Sequence, residues 1–400
     1  MICVHLNIYF VLLASIFGAT LGNDAGISEA SEESGYVRRP IKDSDVDPLI
    51  SEHSKKMWNI TSVELQNLLK NYNDSCQPLK YEVPDFRAEG RRISEVKCLE
   101  YMWQIRSSVE SSARDFECSL LGPLLEPVVV GGIDAEVGEL PHMGAIGWRG
   151  ISPGTWLFKC GGVLISEKFV LTVAHCSRVS RLDTTVSDPV PKIVRFGVIH
   201  VTDTKNYELP PTDIEISRWI VHDNYRAPKT YNDIALVELK KQLVFRRRIH
   251  PACLWTSESD ITGKATLSGW GVVDTASRAT SSILQIATVD MIPSEQCNKT
   301  LTNKRNRHWV RGLDWSQICA GYSEGGVDAC QGDSGGPLQV EIDMDVDPLS
   351  KWRLYNVVGL TSFGFGCAHA NTPSVFTRVA SFTQWIENIV WKNEVNETSV

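Results

Sequence analysis

Three short segments carry residue types that together can do acyl-transfer chemistry: Leu171-Thr172-Val173-Ala174-His175-Cys176, Tyr231-Asn232-Asp233-Ile234-Ala235-Leu236 and Gly332-Asp333-Ser334-Gly335-Gly336-Pro337. A serine hydroxyl is a poor nucleophile until a neighbouring imidazole takes its proton. That imidazole works only when a buried carboxylate fixes its tautomer. Ser334, His175 and Asp233 fit these roles of nucleophile, base and orienting carboxylate. Gly332 and its neighbours let the backbone bend, so that the N–H groups of Gly332 and Ser334 can converge on a developing oxyanion. One such donor is worth about 10² to 10³ in rate. Taken singly, a histidine at a strand end or an aspartate before an apolar run is more often structural. The three in this order are far more specific.

The elements that must hold these segments are mostly strands. From Val128 onward, short runs rich in Val, Ile, Leu and Phe alternate with Gly, Pro, Asn and Asp clusters. Strands are expected at Cys160 to Ile165, Phe169 to Ala174, Ile193 to Val201, Ile214 to His222 and Ile234 to Leu239. The second half repeats the texture at Ala265 to Val273, Leu284 to Ile292, Gln317 to Tyr322, Pro337 to Ile342, Tyr355 to Ser362 and Val375 to Val379. Many short strands without long helical periods between them indicate an all-β barrel or sandwich. The carboxyl end is the exception. Phe382, Trp385, Ile386, Ile389 and Val390 fall on one face of a helix, with Ser381 and Gln384 spaced as a capping box.

The amino-terminal third has a different texture. The first residues carry His5 but no Lys or Arg, then an apolar run from Ile8 to Phe17, then Gly18, Ala19, Thr20 and Gly22. That reads as a signal peptide over residues 1–22, with a short membrane anchor as the alternative. Residues from Asn23 to about Pro48 are polar and acidic and cannot bury enough surface to fold alone. Short helices are expected within Met57 to Lys70 and within Ile93 to Ser108. Residues 23–128 read as an irregular propeptide and 129–400 as the main domain.

Composition narrows the function classes. The chain has 40 Lys and Arg against 48 Asp and Glu, a net charge of −8, so no overall positive field holds nucleic acid. Eleven cysteines become ten once Cys3 leaves with the signal peptide, an even number that suits disulfides in an oxidising compartment. Asn59, Asn73, Asn298 and Asn396 each begin an N-glycosylation triplet. No His-x-x-x-His or Cys-x-x-Cys spacing suggests a metal, so no cofactor is expected.

The three catalytic segments resemble those of the trypsin-like serine peptidases, as do Val129-Val130-Gly131-Gly132, Ser268-Gly269-Trp270-Gly271 and Ser362-Phe363-Gly364, in the family's order. The resemblance spans Val129 to about Trp391. It implies two antiparallel six-stranded β-barrels with the triad in the cleft between them. It implies activation by a cut between Val128 and Val129, the freed amino group turning inward to pair with Asp333. It places Asp328 at the floor of the primary specificity pocket, where a carboxylate selects Arg or Lys, with Gly364 and Ser374 as walls. Ser374 departs from the glycine usual in trypsin-like members. The calcium loop of some relatives would lie between Gly197 and Ile214, without its usual paired glutamates.

Laid on the cysteines, the family pattern implies Cys160–Cys176, Cys297–Cys319, Cys330–Cys367 and a tether from Cys118 to Cys253; Cys76 and Cys98 are left and are expected to pair. A cysteine-bearing prodomain, a tethering cysteine and Glu139-Leu140-Pro141-His142-Met143 are most similar to the arthropod clip-domain serine proteases. A clip domain carries six cysteines where this segment has two besides the tether, which leaves either a reduced clip module or none. The expected function is a secreted endopeptidase zymogen in an extracellular cascade. Its partners would be protein substrates such as a downstream zymogen, an activating protease of non-tryptic specificity and serpin-type inhibitors, with no nucleic acid or membrane. A digestive or venom protease, and a catalytically silent homologue that acts by binding, are the alternatives.

Overall fold

A computed structural model describes residues 83–119, 138–202, 210–274, 279–321, 333–344, 352–365 and 372–395. The alternation seen in the sequence becomes two rings of strands. β1 (Met143–Arg149), β2 (Trp156–Leu164), β3 (Phe169–Thr172), β4 (Ile193–Phe196), β5 (Thr212–Val221) and β6 (Ala235–Leu239) close antiparallel in the order β1-β2-β3-β6-β5-β4. The second set comprises β7 (Cys253–Leu254), β8 (Lys264–Gly269), β9 (Val272–Asp274), β10 (Ala279–Thr280), β11 (Gln285–Ile292), β12 (Gln317–Gly321), β13 (Pro337–Glu341), β14 (Tyr355–Phe363) and β15 (Ser374–Arg378). Six of these run β13-β8-β11-β12-β15-β14, and pairing of β13 with β14 closes the ring. β7 adds to β14 in parallel, and β9 with β10 forms a separate ribbon. Closure leaves few strand edges open to other chains.

The two barrels are all-β and antiparallel, as the sequence led us to expect. β1 was not expected. Its run Met-Gly-Ala-Ile-Gly-Trp-Arg lacks β-branched density because Gly144 lies where a Cβ would press on Val194 and Phe196 of the facing strand. Met143 and Ala145 of the first barrel share one apolar cluster with Trp270, Leu284 and Tyr355 of the second. Between the barrels the buried His142 Nε2–H donates to Gln339 Oε1 at 2.6 Å, and Gln339 in turn donates to Ser268. These contacts fix how the barrels face one another and so shape the cleft.

Four helices complete the described chain: α1 (Ile93–Ser119), α2 (Ser294–Thr300), α3 (Thr383–Val390) and α4 (Lys392–Val395). The expected Ile93 helix exists but runs eleven residues past Ser108, to Ser119. Ile93, Val96, Leu99, Met102 and Ile105 are buried in the same cluster as the first barrel and as Ile386 of α3. The first turn of α1 is capped from two sides. Glu95 Oε2 accepts the Arg92 N–H at 3.0 Å, and the buried Glu387 of α3 accepts the Ser94 N–H at 3.2 Å and hydroxyl at 2.6 Å. Arg92 also pairs with Glu387 at 2.6 Å. A carboxylate at a helix N-terminus satisfies orphan donors and complements the dipole. Here the cap comes from a helix almost three hundred residues away.

Three expectations need correction. Cys253 pairs with Cys98, Cα to Cα 5.1 Å, and not with Cys118, so Cys98 is unavailable to Cys76. Cys98 lies on the face of α1 that meets the body, whereas Cys118 follows twenty residues later, about 30 Å along the helix at 1.5 Å per residue. Cys76 lies outside the described residues. The capping box also does not form. Ser381 sits in a 3-10 turn, Ala380–Phe382, and its hydroxyl donates to Trp315 O at 2.9 Å instead. α3 does bury Ile386 on the body, as its apolar stripe requires.

Burial holds His142 and His250 neutral, with pKa values pushed down to about 4. In the unfolded chain both titrate near ~6.5. Between these values the unfolded state binds protons that the folded state refuses, so stability present above pH ~6.5 is lost as pH falls toward ~4. Each histidine contributes on the order of 3 kcal/mol by the lower limit. His222, its pKa lowered by partial burial, acts in the same direction, and His175, whose pKa is raised, opposes these three. Melting temperature should therefore fall steadily from pH ~6.5 to ~4.5, above the carboxylate range. A Tm flat over that interval would contradict the assignment.

Candidate active site

His175 stands in a 3-10 turn, Ala174–Ser177, that begins just beyond the end of β3. Its neighbour Cys176 is tied to Cys160 of β2 by a disulfide with Cα atoms 6.2 Å apart, which fixes the turn on the first barrel. Asp233 immediately precedes the Ile234 that leads into β6, following Asn232 at φ 53°, a conformation that asparagine tolerates better than most residues. The Asp233 carboxylate is buried, only 2% exposed, while the His175 ring is 35% exposed.

Three hydrogen bonds converge on that carboxylate. Oδ1 accepts the His175 backbone N–H at 3.0 Å; Oδ2 accepts the His175 Nδ1–H at 2.8 Å and the Ser362 hydroxyl at 2.7 Å. The Asp233 peptide oxygen accepts from Thr377 at 2.7 Å. Because Nδ1 must donate to the carboxylate, the neutral ring keeps its lone pair on Nε2, the tautomer that a general base needs. Burial pushes the His175 pKa down, but the charge of Asp233 and its hydrogen bond outweigh it and the net direction is up. Burial likewise pushes Asp233 up, and the charge and hydrogen bonds of His175, with Ser362, bring it below the usual carboxylate range.

Ser334 reaches the same place from the second barrel. Its carbonyl accepts the Gly161 N–H at 2.9 Å, and Gly335 N–H donates to Thr361 O at 2.8 Å. Gly335 has φ +79°, and a Cβ there would overlap the Thr172 hydroxyl and Gly161 carbonyl, so only glycine follows the serine. Asp333 occupies the space left by Gly269 and Gly271, and Gly271 N–H donates to its carboxylate at 2.8 Å. His175, Ser334, Trp270, Phe158 and the Cys160–Cys176 disulfide line one cleft of about 660 Å³. Among the described residues no hydrogen bond yet joins Ser334 to the imidazole; such pairs commonly tighten only with substrate bound. The arrangement has the parts for acyl transfer: a nucleophile, a base of the right tautomer and a buried carboxylate.

Several expected site residues lie outside the described residues: Gly332, Asp328, Val128, Val129, Cys330, Cys367, Asn59, Asn73 and Asn396. Cys297 and Cys319 form a disulfide. Gly364 and Ser374 are described, but neither lines the cleft with His175 and Ser334; Ser374 is buried at the start of β15, opposite Ala320 of β12. Asn298 lies in α2, its side-chain oxygen accepting from Arg305 at 3.4 Å. Cys160, His175 and Cys176 cluster within 4.8 Å, but the disulfide leaves no thiolate to ligate a metal. At the base of the loop between Gly197 and Ile214, Arg195 makes a two-pronged ion pair with Asp213 and donates to Val201 O at 2.8 Å.

The part played by Ser362 was not read from the sequence. It stood in a motif whose glycine drew the pocket assignment, yet its hydroxyl is the third donor to Asp233. Nothing in its own segment signals that contact, because the partner lies 129 residues away.

This double barrel with a histidine, aspartate and serine at its cleft defines a chymotrypsin-like serine protease fold. The chain belongs to the Trypsin family, whose match covers residues 129–386. It is similar to the serine protease Hayan of Drosophila melanogaster, 40% identical over 66% of this chain and 40% of that protein. It is also similar to the serine protease snk of the same fly, 32% identical over 93% of this chain and 83% of that protein. The clotting factor G beta subunit of Tachypleus tridentatus is 31% identical over 72% of this chain and 87% of its own length. The match with Hayan thus spans less than half of that relative, whereas snk is matched along most of both chains. Among the described residues, no helix is long and apolar enough to cross a membrane.

The opposing influences on His175 give a direct test. Replacing Asp233 by Asn removes the charge that raises its pKa and leaves burial to act alone. Histidine NMR titration should show His175 above the ordinary value in the native protein and below it in Asp233→Asn. An unchanged titration would contradict the geometry.

Proposed function

We propose that the chain is a secreted serine endopeptidase zymogen that cleaves after Arg or Lys and works in an extracellular proteolytic cascade. The observation that carries the enzymatic part is the 2.8 Å hydrogen bond from His175 Nδ1–H to the buried Asp233, with Ser334 lining the same cleft. In this mechanism Ser334 Oγ attacks the scissile carbonyl carbon while its proton passes to His175 Nε2. The oxyanion is held by the N–H groups of Gly332 and Ser334. The imidazolium returns its proton to the leaving amine, and water then repeats the sequence to release the acyl group. Asp233 stays ionised throughout and stabilises the imidazolium.

Residues 1–22 would be removed as a signal peptide, and activation would cut before Val129, whose new amino group pairs with Asp333. Val128 is not basic, so the activator would have non-tryptic specificity. Residues 23–128 would then remain as a tethered light chain. The covalent bond of α1 to the barrel and the burial of its apolar face support regulated activation over a digestive role. The likeness to Hayan, snk and a clotting-factor subunit supports a cascade setting, with a downstream zymogen as substrate and serpin-type proteins as inhibitors.

Asp328 would supply the charge that a desolvated Arg or Lys needs, since an unpaired buried cation costs several kcal/mol. Ser374 adds a CH₂OH group where the family usually has glycine, and crowding of a packed site costs about 1 to 3 kcal/mol. That corresponds to cleavage slower by about ten- to a hundredfold. Activated enzyme should prefer Arg and Lys over Phe and Ala in kcat/KM on matched peptides, and Ser374→Gly should raise the basic rates. Preference for Phe or Ala would sink the Asp328 assignment, and no gain from glycine would sink the crowding argument.

The tether is tested separately. After cleavage, non-reducing gels should show one band and reducing gels two. Cys98→Ser should give two species under both conditions. One non-reduced band from cleaved Cys98→Ser would show that another cysteine holds the chains.

A further inference from the structure

The chain carries a net charge of −8, yet one exposed surface runs against that balance. Between Lys299 and Asp314 there are five Lys or Arg residues and a single acid, Asp314. Lys304, Arg305, Arg307 and Arg311 are all exposed, and so are Arg226 and Lys229 on the neighbouring loop. Among the described residues, Arg311 alone of these six makes an ion pair, with Asp314 at 2.9 Å. Arg305 donates to the Asn298 side-chain oxygen and Arg226 to the Asp223 and Tyr225 carbonyls, and none of the other five has a carboxylate partner among the described residues.

The two loops form one anchored surface. Thr230 N–H donates to His308 O at 3.2 Å, and His308 Nδ1–H donates to Pro228 O at 2.9 Å. That tautomer leaves His308 Nε2 to accept from Arg307 Nε at 3.0 Å. Arg311 N–H donates to the Tyr231 hydroxyl at 2.8 Å, and the Arg311 guanidinium lies 4.1 Å from the centre of the Tyr231 ring. Beneath, Trp309 is buried with Leu301, Tyr231 and the Cys297–Cys319 disulfide, its indole N–H donating to Gln317 at 3.0 Å. A loop held at so many points loses little freedom when it binds, so a partner gains most of the contact energy.

Position says what that partner is. Tyr231 is two residues before Asp233, whose buried carboxylate accepts the His175 Nδ1–H. The basic surface is therefore anchored beside the segment that carries the catalytic aspartate, outside the residues that line the cleft of His175 and Ser334. Val310 and Trp315, 53% and 65% exposed, add apolar surface to the same segment. A mixed cationic and apolar face suits Asp and Glu interleaved with apolar side chains rather than a sulfated sugar.

We propose that this surface is an exosite for an acidic, apolar-containing segment of a protein partner that engages the cleft. It deepens the protease reading, since it adds a second recognition element beside the triad. Carboxylates there would speed encounter and lengthen residence without touching the specificity pocket.

The test uses the full chain and a fluorescent peptide of Asp, Glu, Gly and Leu, which lacks any Arg or Lys, so binding is read whether or not the protein cuts anything. Anisotropy should show binding that weakens by about tenfold or more between roughly 50 and 500 mM salt. Combined Lys229→Gln, Lys304→Gln, Arg305→Gln and Arg307→Gln should weaken it by about tenfold or more at low salt. These side chains are exposed, and unchanged circular dichroism and Tm would show the variant folded; the salt series on the native chain stands independently. Equal binding by the variant, salt-insensitive binding or no binding overturns the proposal. So does heparin binding that the acidic peptide neither matches nor displaces, which would mark a polysaccharide site.

Discussion

The buried Asp233 carboxylate is the constraint on which the site depends. A carboxylate without partners in such a place costs several kcal/mol, and the fold meets that cost with three donors from two residues. His175 supplies its backbone and ring N–H from the first barrel, and Ser362 supplies a hydroxyl from the second. The same bonds that make the charge tolerable also choose the imidazole tautomer and hold the ring toward the cleft. Stability and chemistry therefore rest on one set of contacts. Because Asp233 comes from the first barrel and Ser362 from the second, the barrels must dock correctly before the site is complete.

A second long-range dependence ties the amino-terminal helix to the body. Glu387 near the carboxyl end caps α1, Cys98 binds it to Cys253, and Tyr101 donates its hydroxyl to Ile165 O at 2.9 Å. In the uncut chain a disulfide spanning 155 residues removes about 5 kcal/mol of unfolded-state entropy. The apolar face of α1 is continuous with the first-barrel core, so the helix is structural and not a loosely held appendage. Arg92 and Glu387 add a charge-assisted pair at the junction, where the helix dipole already favours a carboxylate.

Much of this was legible in the sequence because it rests on local signals. Strand texture with turn punctuation marks both barrels, and the apolar stripe marks α3. The catalytic segments stand out because the nucleophile needs glycine beside it, as the close approach of Gly335 to Thr172 and Gly161 shows. What escaped is set by contacts between distant segments. β1 is poor in β-branched residues because its glycines make room for β4. Ser381 fits a capping box by spacing but spends its hydroxyl on Trp315 O, and Glu387 looks like a surface residue until its partners on α1 are seen. The tether was misassigned because a family pattern orders cysteines along the chain, whereas pairing depends on which face of α1 meets β7.

The central claim is that Ser334 is a nucleophile activated by His175 and Asp233. The most direct measurement treats the activated chain with a fluorophosphonate reagent and locates the adduct by mass spectrometry. The account predicts one stoichiometric adduct on Ser334, lost in Ser334→Ala and strongly slowed in His175→Ala. An activated, folded chain that takes up no reagent at Ser334, or takes it up equally well without His175, would contradict it.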